Sequence, residues 1–293
     1  MDKEDMTIKE LAAKQMIVID YSDEDITIID NVKQLAEPNP TRIRMNVVVV
    51  VKSGKAQIAI NGKPVMIGEN QLLLSPPGTT FSDFMLSPDF EFKAIFLSNS
   101  IIQSFLREKV NIWNNTMYIH KMHVVTMKQR DVDFFFKFYE TLRLLIDAPA
   151  EKYPYRTDVI QALLRGAFLG LCGALETILP ATDTTPHDQS GTLFQRFLDL
   201  VNKGQSKTQT VEDYASELCI SAKYLTTVCK RISGKTAREW IREHMLEEIR
   251  YYLKQTDLPM KQISDRLGFA NPSFFGKYVK AYFGMTPMQF RKK

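Results

Sequence analysis

The histidines and cysteines of this 293-residue chain carry its most reactive side chains. His120 and His123 form an HxxH pair, a spacing that can offer two imidazoles to one metal ion. A metal-holding barrel also needs His or Glu on neighbouring strands, and no histidine occurs between Met1 and Ile119. His187 stands by itself in a polar stretch. Cys172, Cys219 and Cys229 are odd in number and make no CxxC pair, so small buried side chains are expected rather than a disulfide scaffold or a zinc knuckle. There is no Gly-rich phosphate loop and no GxSxG elbow. Trp113 and Tyr118 are either pocket lining or core. The expectation is a chain with no catalytic residue, no metal and no cofactor.

The remaining chemistry is charge. The chain is +4 overall, with 38 Lys/Arg against 34 Asp/Glu. Residues 192–293 hold 18 basic and 10 acidic side chains, a balance of +8, and the rest hold 20 and 24, a balance of −4. A basic third on an acidic body points to a polyanion partner for that third.

The elements that must position these charges are helices. Thr210 caps one helix, with Glu212 and Asp213 in its first turn and Val211, Tyr214, Ala215 and Leu218 inside. Cys219-Ile220 turns the chain. Ser221 caps a second helix over Ala222–Ile232, in which Leu225, Val228, Cys229 and Ile232 point inward and Lys223, Thr226, Thr227 and Lys230 outward. Helix, short turn and helix with a polar-basic outer face is the helix-turn-helix plan. Thr236-Ala237-Arg238-Glu239 reads as a capping box for a long helix to about Lys254, with Trp240, Ile241, Met245, Ile249 and Leu253 as its stripe.

The plan then repeats. Met260–Leu267 is a helix, Gly268-Phe269-Ala270 a turn, Asn271 a cap and Pro272 the first helical residue. Phe275, Val279 and Tyr282 are expected inside, with Ser273, Lys277 and Lys280 outside. Leu225, Cys229, Lys230, Gly234 and Thr236 lie 50 residues before Phe275, Val279, Lys280, Gly284 and Thr286. Such a duplication is a stronger signal than either unit alone.

The first part of the chain reads differently. Residues 17 to about 126 are β-like, with candidate strands Met45–Val51, Gln57–Ile60, Lys63–Ile67, Leu72–Leu74 and Phe90–Phe96. Asn61-Gly62 between two of them is a two-residue hairpin signal. Short strands with turns between them suggest a small barrel or sandwich. Residues 128–179 change to helical period. One helix carries Val132, Phe135, Phe136, Tyr139, Leu142 and Ile146. A second carries Ile160, Leu163, Leu164, Ala167, Phe168, Leu171, Leu175 and Ile178 on an apolar face wide enough to meet the strands, a second subunit or both. The longest apolar run, Gly166–Leu175, is about half the roughly 20 residues of a membrane span. The start, MDKEDMTIKE, lacks the apolar core of a signal peptide, so a cytoplasmic location with no membrane partner is expected. Pro180–Gly191, polar and without period, reads as a linker.

Residues 268–291, GFANPSFFGKYVKAYFGMTPMQFR, resemble the signature of the AraC/XylS family of bacterial regulators at Gly268-Phe269, Ser273, Phe275, Lys280, Gly284, Thr286-Pro287 and Phe290-Arg291. Cys219 stands where that family commonly has glycine, and Cys229 and Val279 where it usually has Phe. The resemblance implies a multi-domain α+β chain: a cupin-like β-barrel with a helical dimerisation segment over residues 1–179, a linker over 180–191, and an all-α domain with two helix-turn-helix units over 192–293. It implies a sequence-specific transcription regulator of the activating kind, not an enzyme, with Lys223, Thr226, Thr227, Ser273, Phe274 and Lys277 reading bases and Lys230, Asn271 and Lys280 meeting phosphates. The implied partners are double-stranded promoter DNA, RNA polymerase, a small-molecule effector and a second copy paired through helices 132–146 and 156–179. A cupin-type enzyme, or a ligand-independent regulator, fused to a DNA-binding module is the alternative.

Overall fold

The computed structural model describes residues 18–31, 40–148, 153–178, 189–203 and 209–292. They separate into two compact units, Met1–Leu179 and Pro180–Lys293.

The first unit is rich in sheet. Ten strands are seen among the described residues: β1 (Val18–Ser22), β2 (Ile26–Asn31), β3 (Thr41–Ile43), β4 (Asn46–Ser53), β5 (Lys55–Ile60), β6 (Lys63–Gly68), β7 (Gln71–Ser75), β8 (Thr79–Leu86), β9 (Glu91–Leu97) and β10 (Val124–Thr126). They form two antiparallel sheets, ordered β1-β2-β9-β4-β7-β10 and β3-β8-β5-β6. Period-2 alternation sends alternate residues of each strand to opposite faces. One side of β4, Val47 and Val51, thereby joins Ile29, Ile58, Ile67, Leu73 and Phe81 in an apolar core built from both sheets. Asn61 and Gly62, at φ of 51° and 78°, make the expected turn and set Ile60 opposite Lys63.

Val48 and Val50, on the other side of β4, are buried as well, because helices cover that face. These are α1 (Asn99–Leu106), α2 (Val110–Asn114), α3 (Gln129–Ile146) and α4 (Arg156–Ile178). Phe168 of α4 meets Trp113 at 5.7 Å and Phe105 at 6.2 Å between ring centroids. The Trp113 indole N–H donates to Asn46 Oδ1 at 3.3 Å. Trp113 and Tyr118 are both buried, so they belong to the core.

Two expectations change here. Residues 99–119 are helical, not β: Ser98 caps α1 by accepting from the Ile101 N–H, and Ile101, Ile102, Phe105, Leu106, Val110 and Trp113 bury one helical face. Helix α4 is long and apolar enough to cross a membrane by length and composition, with a mean hydropathy of 1.4 over its best window. Its Ile160, Leu164, Phe168, Cys172 and Leu175 recur every three or four residues and are buried within this unit, while 28% of that apolar window is buried in all.

The second unit is helical: α5 (Gln189–Lys203), α6 (Val211–Glu217), α7 (Ala222–Ser233), α8 (Ala237–Gln255), α9 (Met260–Arg266), α10 (Pro272–Phe283) and α11 (Pro287–Lys292). Helix α5 starts inside the stretch expected to be linker, at Gln189, and residues 180–188 lie outside the described ones. Its Phe194 and Phe197 are fully buried and meet Trp240 and Tyr214 edge-on, each at 5.7 Å. Helix α8 serves two cores. Ala237 and Trp240 are buried near its start, while Met245, Ile249 and Leu253 join Ile263, Leu267, Phe275, Val279 and Phe290 further along. The Arg291 guanidinium closes this second core by donating to the carbonyls of Leu253 (3.3 Å) and Leu258 (2.7 Å).

One buried group in the second core is unmatched. Ser264 is fully buried, and its hydroxyl has no hydrogen-bond partner. An unsatisfied buried hydroxyl costs about 1–3 kcal/mol. Ser264→Ala is therefore expected to stabilise the chain by about 1 kcal/mol, read as a higher denaturation midpoint at unchanged slope. A lower midpoint would mean that the hydroxyl has a partner.

Candidate nucleic-acid interface

The two helix pairs, α6–α7 and α9–α10, repeat at the level of single hydrogen bonds. In the first turn the Ile220 N–H donates to the Ala215 carbonyl at 2.9 Å, and in the second the Phe269 N–H donates to the Ser264 carbonyl at 3.0 Å. Ser221 caps α7 by accepting from the Tyr224 N–H at 3.2 Å, and Asn271 caps α10 by accepting from the Phe274 N–H at 3.0 Å. Both helices end on a left-handed glycine, Gly234 (φ 76°) and Gly284 (φ 73°), whose N–H returns to the carbonyl of Lys230 or Lys280. Thr236 with Glu239, and Thr286 with Gln289, then form matching capping pairs. The offset is 50 residues after the turns but 49 before them (Leu218 against Leu267), because Ala270 adds a residue to the second turn.

The left-handed turn position is Gly268 in the second pair (φ 72°) and Cys219 in the first (φ 58°). A Cβ at positive φ crowds the backbone, which glycine avoids. Cys219→Gly is expected to raise stability by about 1 kcal/mol. A neutral or destabilising result in thermal unfolding would mean that the exposed thiol contributes something the backbone does not.

Each pair presents one polar-basic face. On α7, Lys223, Thr227 and Lys230 are exposed and Thr226 is half-buried. Thr227 donates its hydroxyl to the Lys223 carbonyl at 2.9 Å, which leaves the oxygen as an acceptor. On α10, Ser273, Phe274, Lys277 and Lys280 are exposed, and the Lys277 ammonium lies 5.9 Å from the centre of the Phe274 ring. Asn271 uses its amide oxygen for the cap, so its NH2 group is what remains to meet an anion. Asn271 and Ser273 stand at the start of α10, where N–H groups lie outside the helix ladder, and Pro272 between them has no N–H to leave unpaired.

Beneath these faces sit Leu225, Val228 and Cys229, and Phe275 and Val279, all buried. Burial pushes the Cys229 thiol up to about 12, so it acts as packing, not as a nucleophile. Two placements differ from the expectations above. Tyr282 is not inside: it is 48% exposed on the flank of α10. Tyr224, the counterpart of Phe274 at the offset of 50, is exposed beside Lys223 and is a further outer-face residue to which the duplication itself points. Among the described residues no three of His, Cys, Asp and Glu cluster. His123 lies with Nδ1 3.4 Å from the Leu74 carbonyl.

Two protruding basic faces on helix pairs that share one rigid helix suit a long polyanion with a periodic surface. A model of the helix-turn-helix domain family matches residues 214–293. The chain is similar to the Msm operon regulatory protein of Streptococcus mutans, 25% identical over 138 residues, which are 47% of this chain and 50% of that one. It is also similar to the transcriptional activator NphR of a Rhodococcus species, 35% identical over 86 residues, which are 29% of this chain and 25% of NphR. The chain thus spans half or less of these relatives. Among solved structures it is similar to ToxT from Vibrio cholerae, 17% identical, covering 91% of this chain and 92% of ToxT at a TM-score of 0.34.

Proposed function

We propose that this chain, which belongs to the AraC/XylS family of transcription regulators, is a sequence-specific DNA-binding activator in the cytoplasm that uses two helix-turn-helix units. The observation that carries the reading is the repetition of turn hydrogen bond, cap and basic outer face in α6–α7 and α9–α10. Helix α8, about 28 Å long at 1.5 Å per residue, shares both cores and holds the reading helices α7 and α10 at a fixed spacing. Lys223, Thr226 and Thr227, and Ser273, Phe274 and Lys277, then read base edges in successive major grooves. Lys230, Asn271 and Lys280 meet phosphates.

The sheet-rich unit takes the part of a cupin-like barrel that senses a small molecule, and residues 1–179 and 192–293 work as regulatory and DNA-binding domains. RNA polymerase is the partner that an activator must contact at its promoter. Two copies pair through α3 and α4. Phe134 and Leu144 on α3, and Val159 and Leu169 on α4, support this pairing because they leave large apolar side chains in water. Leu144→Glu with Leu169→Glu is expected to convert a dimer to a monomer in sedimentation equilibrium, and an unchanged mass would remove these helices from the interface.

The test of the DNA reading is selection by the full chain from a pool of random duplexes at two salt concentrations. Two short sequence blocks about one helical turn apart are expected. Recovery of no motif at either salt concentration would reject sequence-specific reading.

A further inference from the structure

Between the two helix pairs the helical unit holds a cleft of about 410 Å³. Its walls are the start of α6, the first half of α8, and the Phe269 turn with α10. The volume lies within the roughly 300–1,000 Å³ of small-molecule sites. One side is aromatic: Phe269, Tyr278 and Tyr282 follow one another at 5.3 and 4.6 Å between ring centroids, with Met245 beside them. The other side is cationic. Arg238 and Arg242 are one turn apart on α8, so both face the cleft.

These arginines differ from their neighbours on and before the same helix. Lys235 pairs with Glu243 at 2.6 Å, and Arg250 with Glu247 at 3.4 Å. Among the described residues, neither Arg238 nor Arg242 has a hydrogen bond or an ion pair. Arg242 is near enough to Tyr278 to favour its phenolate, yet burial and Tyr282 still hold that phenol at about 12, so it stays neutral and can donate. Glu212 is the acid on the wall. Two guanidiniums and one carboxylate leave the cleft at +1.

We propose that this cleft binds a small organic monoanion with an aromatic body. The anionic group takes the planar forks of Arg238 and Arg242, where bidentate pairing is strongest. The ring lies against Tyr278 and Tyr282 in offset or edge-on contact. A duplex backbone is a poor occupant, because a phosphate strand is convex and broad while this recess is concave and lined mostly by apolar atoms. None of the base-reading residues lines the site. A ligand there touches both helix pairs and so reinforces the spacing that α8 imposes on them. That consequence rests on the DNA reading above; the binding itself does not.

The probe is 8-anilinonaphthalene-1-sulfonate, a fluorescent aromatic monoanion, titrated into the full chain beside its uncharged analogue N-phenyl-1-naphthylamine. One saturable site is expected. Arg238→Gln with Arg242→Gln should weaken the sulfonate about tenfold or more, as for loss of charge-assisted hydrogen bonds, and leave the uncharged analogue unchanged. Glu212→Gln should tighten the sulfonate about threefold and leave the uncharged analogue unchanged, whereas a partly unfolded chain would take up both dyes more strongly. Unaltered sulfonate binding in the arginine double variant would overturn the proposal. So would the absence of saturable binding, or a loss in Glu212→Gln like that in the double variant. A double variant that loses duplex affinity while keeping the sulfonate would assign the arginines to DNA and equally overturn it.

Discussion

Phe275→Ala is expected to cost about 3–5 kcal/mol of stability, while Phe274→Ala, one residue earlier, should stay within about 0.5 kcal/mol. The two side chains have the same chemistry and opposite environments. Phe275 is 1% exposed and Phe274 is 59% exposed. Phe275 fills the space between α8, α9 and α10, meets Phe269 edge-on at 5.3 Å, and shares its core with Ile249, Leu253, Ile263, Leu267 and Val279. Its removal loses both the transfer free energy of the ring and the contacts around the cavity left behind. A typical domain has only about 5–15 kcal/mol to lose, so the variant should keep a much smaller margin of stability. Leu225→Ala at the equivalent place in the first pair should cost about 2–5 kcal/mol. Denaturant unfolding followed by far-UV circular dichroism measures all three. A loss under about 1 kcal/mol for Phe275→Ala would mean that this core repacks freely or is not the one described.

The contrast between these two phenylalanines also shows what a sequence can reveal. Inside a single helix the period of 3.6 places residues correctly, so Leu225, Cys229, Phe275 and Val279 were assigned inside and Lys223, Lys230, Lys277 and Lys280 outside from spacing alone. The duplication strengthened each assignment by repeating it. Caps and turns were legible for the same reason: Ser221, Asn271, Gly234 and Gly284 act on neighbours a few residues away. Tyr282 was misplaced because its helical phase is that of the core flank, and only the position of α8 decides whether that flank is covered. Strand β8 was not legible. Its sequence TTFSDFML does not alternate cleanly, and it is a strand because β3 and β5 pair with its two edges. The helical stretch 99–119 hid behind short apolar runs that suit either structure. The cleft was beyond reach altogether, since Glu212, Arg242 and Tyr282 come together only when both helix pairs dock on α8.

Lys277→Ala and Lys280→Ala are expected to separate base reading from phosphate binding. Both side chains are exposed lysines on α10, three residues apart, and the substitution is identical. Lys277 lies in the first half of the helix beside Ser273, with its ammonium over the Phe274 ring. That half of a recognition helix approaches base edges. On the proposed base-reading role, truncating Lys277 removes a donor to guanine and releases Phe274 from its cation–π contact, so affinity for the selected site should fall by about 1–3 kcal/mol and preference at the contacted base should relax. Affinity for random duplex should change little. Lys280 lies in the last turn, where its carbonyl accepts the Gly284 N–H and its ammonium is one turn farther from the helix start. A phosphate contact there releases about one counterion whatever the sequence, so Lys280→Ala should weaken selected and random DNA alike and reduce the slope of log K against log salt by about 0.9. Both measurements come from one set of titrations at several salt concentrations. Equal losses on selected and random DNA for both variants would defeat the division of roles, and would reduce α10 to a basic surface with no base-reading end.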